Sequence, residues 1–156
     1  MKFFRFLILI SVVNFFSCGT PIDSAPDFKL PFLSDSSASM TLFQEIQEHP
    51  VLLVFWATWC PICVSEIPAL NQFQKDTASR GLKIYGINIQ EPRKKVEEFA
   101  LTHPVEYPIL LDESGEVSEK YKVSSLPTMI LLAKGGKILY YGFHLPENYL
   151  GQLGKL

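Results

Sequence analysis

Cysteine is scarce in this chain. There are three in 156 residues, Cys18, Cys60 and Cys63, so no disulfide framework is available. Histidine is equally scarce. His49, His103 and His144 are scattered and unclustered, which gives no ligand set for a metal. Cationic excess is missing as well: the formal charge is −2, and no basic field points to nucleic acid. No apolar run reaches the roughly 20 residues that a membrane-spanning helix needs. No internal repeat or low-complexity tract appears. What remains is 47% hydrophobic and 19% charged, the balance of an ordinary globular protein, at a length that suits one domain with one core.

The N-terminus departs from that balance. "MKFFRFLILISVVNFFSC" carries Lys2 and Arg5, then an apolar run from Phe6 to Phe16. This reads as a secretory signal with a charged region and an apolar region. A small-x-small cleavage site is absent, and the run ends in Phe16-Ser17-Cys18-Gly19. That ending is similar to a bacterial lipoprotein box, in which Cys18 is lipidated and becomes the new N-terminus. Phe15 and Phe16 depart from the usual pattern, and the alternative is an ordinary signal with an incidental Cys18. The expected division is a signal at 1–17, a tether at 18–27 and a domain at 28–156. Removal of 1–17 takes away two cations and no acid, leaving a charge of −4. Such a domain would be held to a membrane by lipid on Cys18, not by charge.

Along the domain, residues 28–43 suggest a weak hairpin and 44–49 at most a short helix. "VLLVFWA" at 51–57 is continuous, apolar and bounded by Pro50, which predicts a strand buried on both faces. From Pro61 to about Ser79 the period is helical, with Ile67, Leu70 and Phe73 inward, Pro68 expected to kink the helix, and Gly81 ending it. Residues 82–89 predict a strand, 92–103 a helix opened by Pro92, 107–112 a strand and 116–121 a short helix. Strands at 127–133 and 137–143 flank Gly135-Gly136 as an antiparallel hairpin. A last helix is expected from about Pro146, with Tyr149, Leu150 and Leu153 inward. The order predicts an α/β domain with a mixed sheet flanked by helices.

The chemistry sits in "FWATWCPICVSEIP", residues 55–68. Two cysteines three apart can hold a metal, staple a loop or exchange electrons. Zinc wants four ligands, and the domain offers two cysteines. A disulfide closing so small a loop removes little chain entropy. Redox exchange fits best. Cys60 falls between a strand end and a helix start, where catalytic groups of parallel sheets gather. Pro61 takes the first helical position, which makes Cys60 the N-cap, its sulfur open to the amides of Ile62 and Cys63. Amides and helix dipole both favour thiolate. A free cysteine has a pKa of about 8.5, and cysteines in such a setting fall to roughly 7, worth about 2 kcal/mol. Cys63, one turn in, is expected to be less exposed and less activated. Cys60 therefore attacks a substrate disulfide and Cys63 resolves the mixed disulfide.

Trp59-Cys60-x-x-Cys63, Leu126-Pro127-Thr128 and the extra helix and strand within 90–126 together resemble the TlpA/ResA-like branch of the thioredoxin superfamily. The resemblance covers about residues 25–145. It implies a thioredoxin fold with a helix–strand insertion before a cis-Pro127. It also implies an extracytoplasmic, membrane-anchored thiol–disulfide oxidoreductase that needs no cofactor. Trp59, Pro61, Ile62 and Leu126 would contact a disulfide-bearing protein substrate, and a membrane thiol donor would return the electrons. Trp56 belongs to the core. Peroxiredoxin chemistry is disfavoured, because Ala57 stands where the peroxidatic site needs Thr. Thioredoxins carry a buried acid six residues before the first cysteine, and this chain has Val54 there. Glu66, one turn after Cys63, is the substitute proton acceptor, or else a solvated helix acid. Ile62 cannot stabilise the thiolate as His does in the strong oxidant DsbA, so a reducing couple is expected. Reduction of exported proteins, as in cytochrome c maturation, is the function implied. The alternatives are an oxidase or isomerase of the same fold, a copper-binding assembly chaperone and a vestigial domain.

Overall fold

The computed structural model describes residues 24–146, together with 148 and 151. The export signal expected at 1–17, Cys18 and the helix expected around Tyr149, Leu150 and Leu153 lie outside the described residues.

The chain enters through a small hairpin of β1 (Lys29–Pro31) and β2 (Ser39–Thr41), followed by α1 (Leu42–Glu48). Asp35 shapes the hairpin turn by accepting from the Ser37 amide and hydroxyl at 2.8 and 2.7 Å. Residues 24–27, the end of the expected tether, are bonded to the domain. Ala25 N donates to Gly136 O at 2.8 Å, Pro26 O accepts from the Tyr121 hydroxyl at 2.7 Å, and Asp27 accepts from Phe43 N at 2.8 Å.

The main sheet follows as β3 (Val51–Trp56), α2 (Pro61–Ala78), β4 (Lys83–Ile89), α3 (Arg93–Ala100), β5 (Ile109–Asp112), α4 (Glu116–Lys120), β6 (Thr128–Leu132) and β7 (Ile138–Gly142). Its strand order is β5-β4-β3-β6-β7. β3 pairs in parallel with β4 and antiparallel with β6; β4–β5 is parallel and β6–β7 antiparallel. This is the mixed sheet that the alternation of elements requires, and the run α3, β5, α4 between β4 and β6 carries the expected extra helix and strand.

β3 is central, and every one of its residues is buried. Leu53 and Phe55 join one core with Ile87, Leu110 and Tyr121; Leu52 and Val54 join another, on the opposite face, with Leu70, Ile84 and Met129. Burying such side chains stabilises the fold by about 1.5–3 kcal/mol each. That is why a short continuous apolar run becomes the spine of the sheet rather than an edge.

α2 buries Ile67 and Leu70 and continues through Pro68 without interruption. Gly81 (φ +73°) then turns the chain into β4, a conformation glycine adopts without steric cost. Pro92 is not inside α3 but its N-cap. The hairpin between β6 and β7 turns through a single 3-10 turn at Lys134–Gly136, with Gly135 and Gly136 both at positive φ.

Candidate active site

β3 delivers its C-terminal end, through Ala57-Thr58-Trp59, to the start of α2. Cys60 is the N-cap of α2, with extended backbone (φ −92°, ψ 103°), and Pro61 follows in the first turn. The Cys63 amide donates to Cys60 Sγ at 3.2 Å. No such bond forms from Ile62, whose amide the sequence also offered. Cys60 and Cys63 are joined in a disulfide, with Cα atoms 5.2 Å apart.

Both cysteines are buried, at 5% and 3% exposure, so burial alone does not rank them in this oxidised state. Their neighbours in sequence are the opposite. Trp59 is 63% and Ile62 58% exposed, and Pro61 is also exposed. A buried disulfide thus has two exposed large apolar residues, Trp59 and Ile62, as chain neighbours. Trp56, by contrast, is core: it packs with Ala57, both cysteines, Val96, Ile109 and Leu111.

Leu126 packs against the same cluster as the cysteines. The Leu126–Pro127 peptide bond is cis, as expected, and Pro127 is buried. Thr128, next in the chain, pairs with Phe55 of β3, so the Leu126–Pro127 step lies at the sheet end where β3 gives way to the cysteine turn. Glu66 is half-buried on α2, and among the described residues no side-chain hydrogen bond or ion pair holds it. The structure brings Trp59, Cys60, Pro61, Ile62, Cys63 and Leu126 into one region, and Glu66 follows Cys63 by one turn of α2.

The site also contains a residue that sequence reasoning missed. Glu91 is only 3% exposed. Its Oε2 accepts from Thr58 N at 2.6 Å and Asn88 Nδ2 at 2.9 Å. Its Oε1 accepts from Thr58 Oγ1 at 2.6 Å and meets Lys95 Nζ at 2.7 Å. Burial works to raise its pKa, but the Lys95 ammonium, both Thr58 donors and the Asn88 amide outweigh it and hold the carboxyl below its ordinary value. Gln90, at positive φ (52°), makes the turn that aims Glu91 back at the cysteine loop. The signal available in sequence was a glutamate just past a strand with a lysine four residues on.

This geometry matches known proteins. The sequence pattern of the AhpC/TSA family covers residues 21–141. The thiol-disulfide oxidoreductase ResA of Geobacillus thermodenitrificans is 34% identical over 128 residues, 80% of this chain and 72% of its own length. The chain belongs to this family, as a ResA-like thiol–disulfide oxidoreductase. The thioredoxin-like protein YneN of Bacillus subtilis is 38% identical to this chain over 117 residues, 73% of this chain and 66% of its own length. Among solved structures, a Chlorobium tepidum protein provisionally named thiol:disulfide interchange protein DsbE superposes with a TM-score of 0.73 at 27% identity. It covers 85% of the oxidoreductase and 94% of its own chain. StoA of Bacillus subtilis shares the fold, with a TM-score of 0.68 at 22% identity over 83% of this chain and 96% of its own.

Proposed function

We propose that this oxidoreductase works outside the cytoplasm as a reductase of disulfides in exported proteins, apocytochrome c among the candidate substrates, and is anchored by lipid on Cys18. The observation that carries the proposal is the buried Cys60–Cys63 couple at a helix N-terminus, rimmed by exposed Trp59 and Ile62. What supports export is the charged and apolar N-terminal run ending at Cys18.

In the reduced state the Cys60 thiolate attacks one sulfur of a substrate disulfide. The substrate's other sulfur leaves as thiolate and takes a proton. Cys63, after losing its proton, attacks Cys60 Sγ. The mixed disulfide breaks, the substrate departs as a dithiol, and Cys60–Cys63 is left oxidised, two electrons having passed to the substrate. Glu66, one turn after Cys63 on α2, is in this reading the acceptor of the Cys63 proton. Trp59, Pro61, Ile62 and the backbone at Leu126, beside Pro127, form the surface that a polypeptide substrate would lie against. A membrane thiol donor restores the dithiol.

The test is reduction of insulin disulfides with dithiothreitol as donor. The full chain accelerates it, and Cys60→Ser abolishes the acceleration. A rate no greater than that of dithiothreitol alone, or stoichiometric Cu(I) binding in its place, contradicts the reading.

A further inference from the structure

We propose that Glu91 is a positioning residue for the exchange reaction: its carboxylate clamps Thr58, fixing the turn that presents Cys60, and sets one permanent negative charge, offset by Lys95, beside the cysteine pair. The inference rests on the reading of that pair as a working redox couple.

The clamp is a long-range one. Glu91 and Thr58 are 33 residues apart, and both Thr58 donors end on this one carboxylate. Thr58 stands in the turn between β3 and α2, where Cys60 N also donates to Ala57 O at 3.2 Å. Two bonds to Thr58 fix both the direction and the twist of that turn. A single neutral acceptor would fix one of them. The charge itself is expensive in such a place, since burying an unpaired carboxylate costs several kcal/mol. Lys95, itself half-exposed, pairs with it from the first turn of α3, and Asn88 satisfies Oε2 from β4.

Two peptide units separate Thr58 from Cys60, with Trp59 between them, a span of at most about 7 Å. The Glu91 carboxylate, 2.6 Å from Thr58 N, therefore lies within roughly 10 Å of the Cys60 backbone, about one Debye length. A negative charge there disfavours thiolate and so favours the disulfide over the reduced form. Lys95 acts with the opposite sign. Of the other charged groups nearby, Glu66 on α2 adds to the negative side, and Arg93 is engaged with Leu33 O and Glu97.

The experiment is the equilibrium constant of the Cys60–Cys63 couple with glutathione at pH 7, for the full chain and for Glu91→Gln and Lys95→Met. Glu91→Gln should shift it about three- to tenfold toward the dithiol, and Lys95→Met by a few fold toward the disulfide. Tenfold is about 30 mV. Opposite signs are the signature of charge. Shifts of the same sign, or none beyond about twofold, overturn the proposal and leave Glu91 a purely structural anchor. Should Glu91→Gln not fold, Lys95→Met decides alone, because Lys95 is half-exposed and its loss leaves the clamp in place. A wild-type chain that never equilibrates with glutathione would instead bring down the redox reading itself, and the inference with it.

Discussion

Cys63 donates its backbone amide to the sulfur of Cys60 at 3.2 Å, from within the first turn of the helix that Cys60 caps. An N-cap acceptor is ordinarily an oxygen. Here it is the sulfur that must carry negative charge during exchange, so the helix end serves stability and chemistry at once.

The two sulfurs should separate in trapping experiments. Cys63→Ser leaves the attacking thiol without a resolver, so the variant should accumulate a mixed disulfide with a small aromatic disulfide, releasing one equivalent of the aromatic thiolate. Cys60→Ser should accumulate far less. Mass spectrometry of the intact variants reads the adducts, and an equal yield from both would contradict the assigned order of attack.

Stability should depend on pH through Glu91. Its folded carboxyl titrates below the ordinary 4.5. The unfolded chain therefore binds the proton first, and the stabilisation is fully present above about 4.5 and is lost as pH falls through the lower folded value. Urea midpoints of the wild type should fall more steeply than those of Glu91→Gln below pH 4.5. Parallel curves would show that the buried carboxylate gains nothing from its charge.

Asn71 ties α2 to the segment before β5. Its amide donates to Pro104 O at 2.8 Å and its carbonyl accepts from Glu106 N at 2.9 Å. Asn71→Ala leaves two main-chain groups without partners and should cost about 1–3 kcal/mol in urea denaturation. Insulin reduction by the folded fraction should be unchanged, since Asn71 is not part of the cysteine turn.

Gly86 is required for packing rather than for its backbone angle. A Cβ there would stand 2.8 Å from the Tyr107 ring and 3.1 Å from Trp56 Nε1. Tyr107 is 4% exposed and Trp56 2%, so neither ring has room to withdraw. Gly86→Ala should destabilise by about 1–3 kcal/mol. A variant as stable as the wild type would show that this layer is looser than described.

The parts of this fold that sequence reveals are those set by local pattern. β3 is legible because seven apolar residues end at a proline and a turn. Cys60 is legible as an N-cap because Pro61 can only open a helix there. Glu91 is not legible in the same way. Its partners Thr58 and Asn88 come from two different strands' ends, and Gln90 must take a positive φ to aim it. Pro92 illustrates a smaller limit. A proline near a helix start fits the cap and the first turn equally well, and the carboxylate of Glu113, bonded to Arg93 N at 3.1 Å, is a tertiary contact that marks where α3 begins. Glu66 was identified by its spacing from Cys63, and the spacing is real. Among the described residues nothing bonds its side chain, and its part in proton transfer is a proposal.

The central claim is that the start of α2 ionises Cys60. The direct measurement is the second-order rate of iodoacetamide capture by Cys60 in the reduced protein from pH 5 to 10, using Cys63→Ser so that one active-site thiol reports. A midpoint near 7 is expected, well under the roughly 8.5 of a free cysteine. A midpoint at the free value, with no excess reactivity at neutral pH, would contradict it.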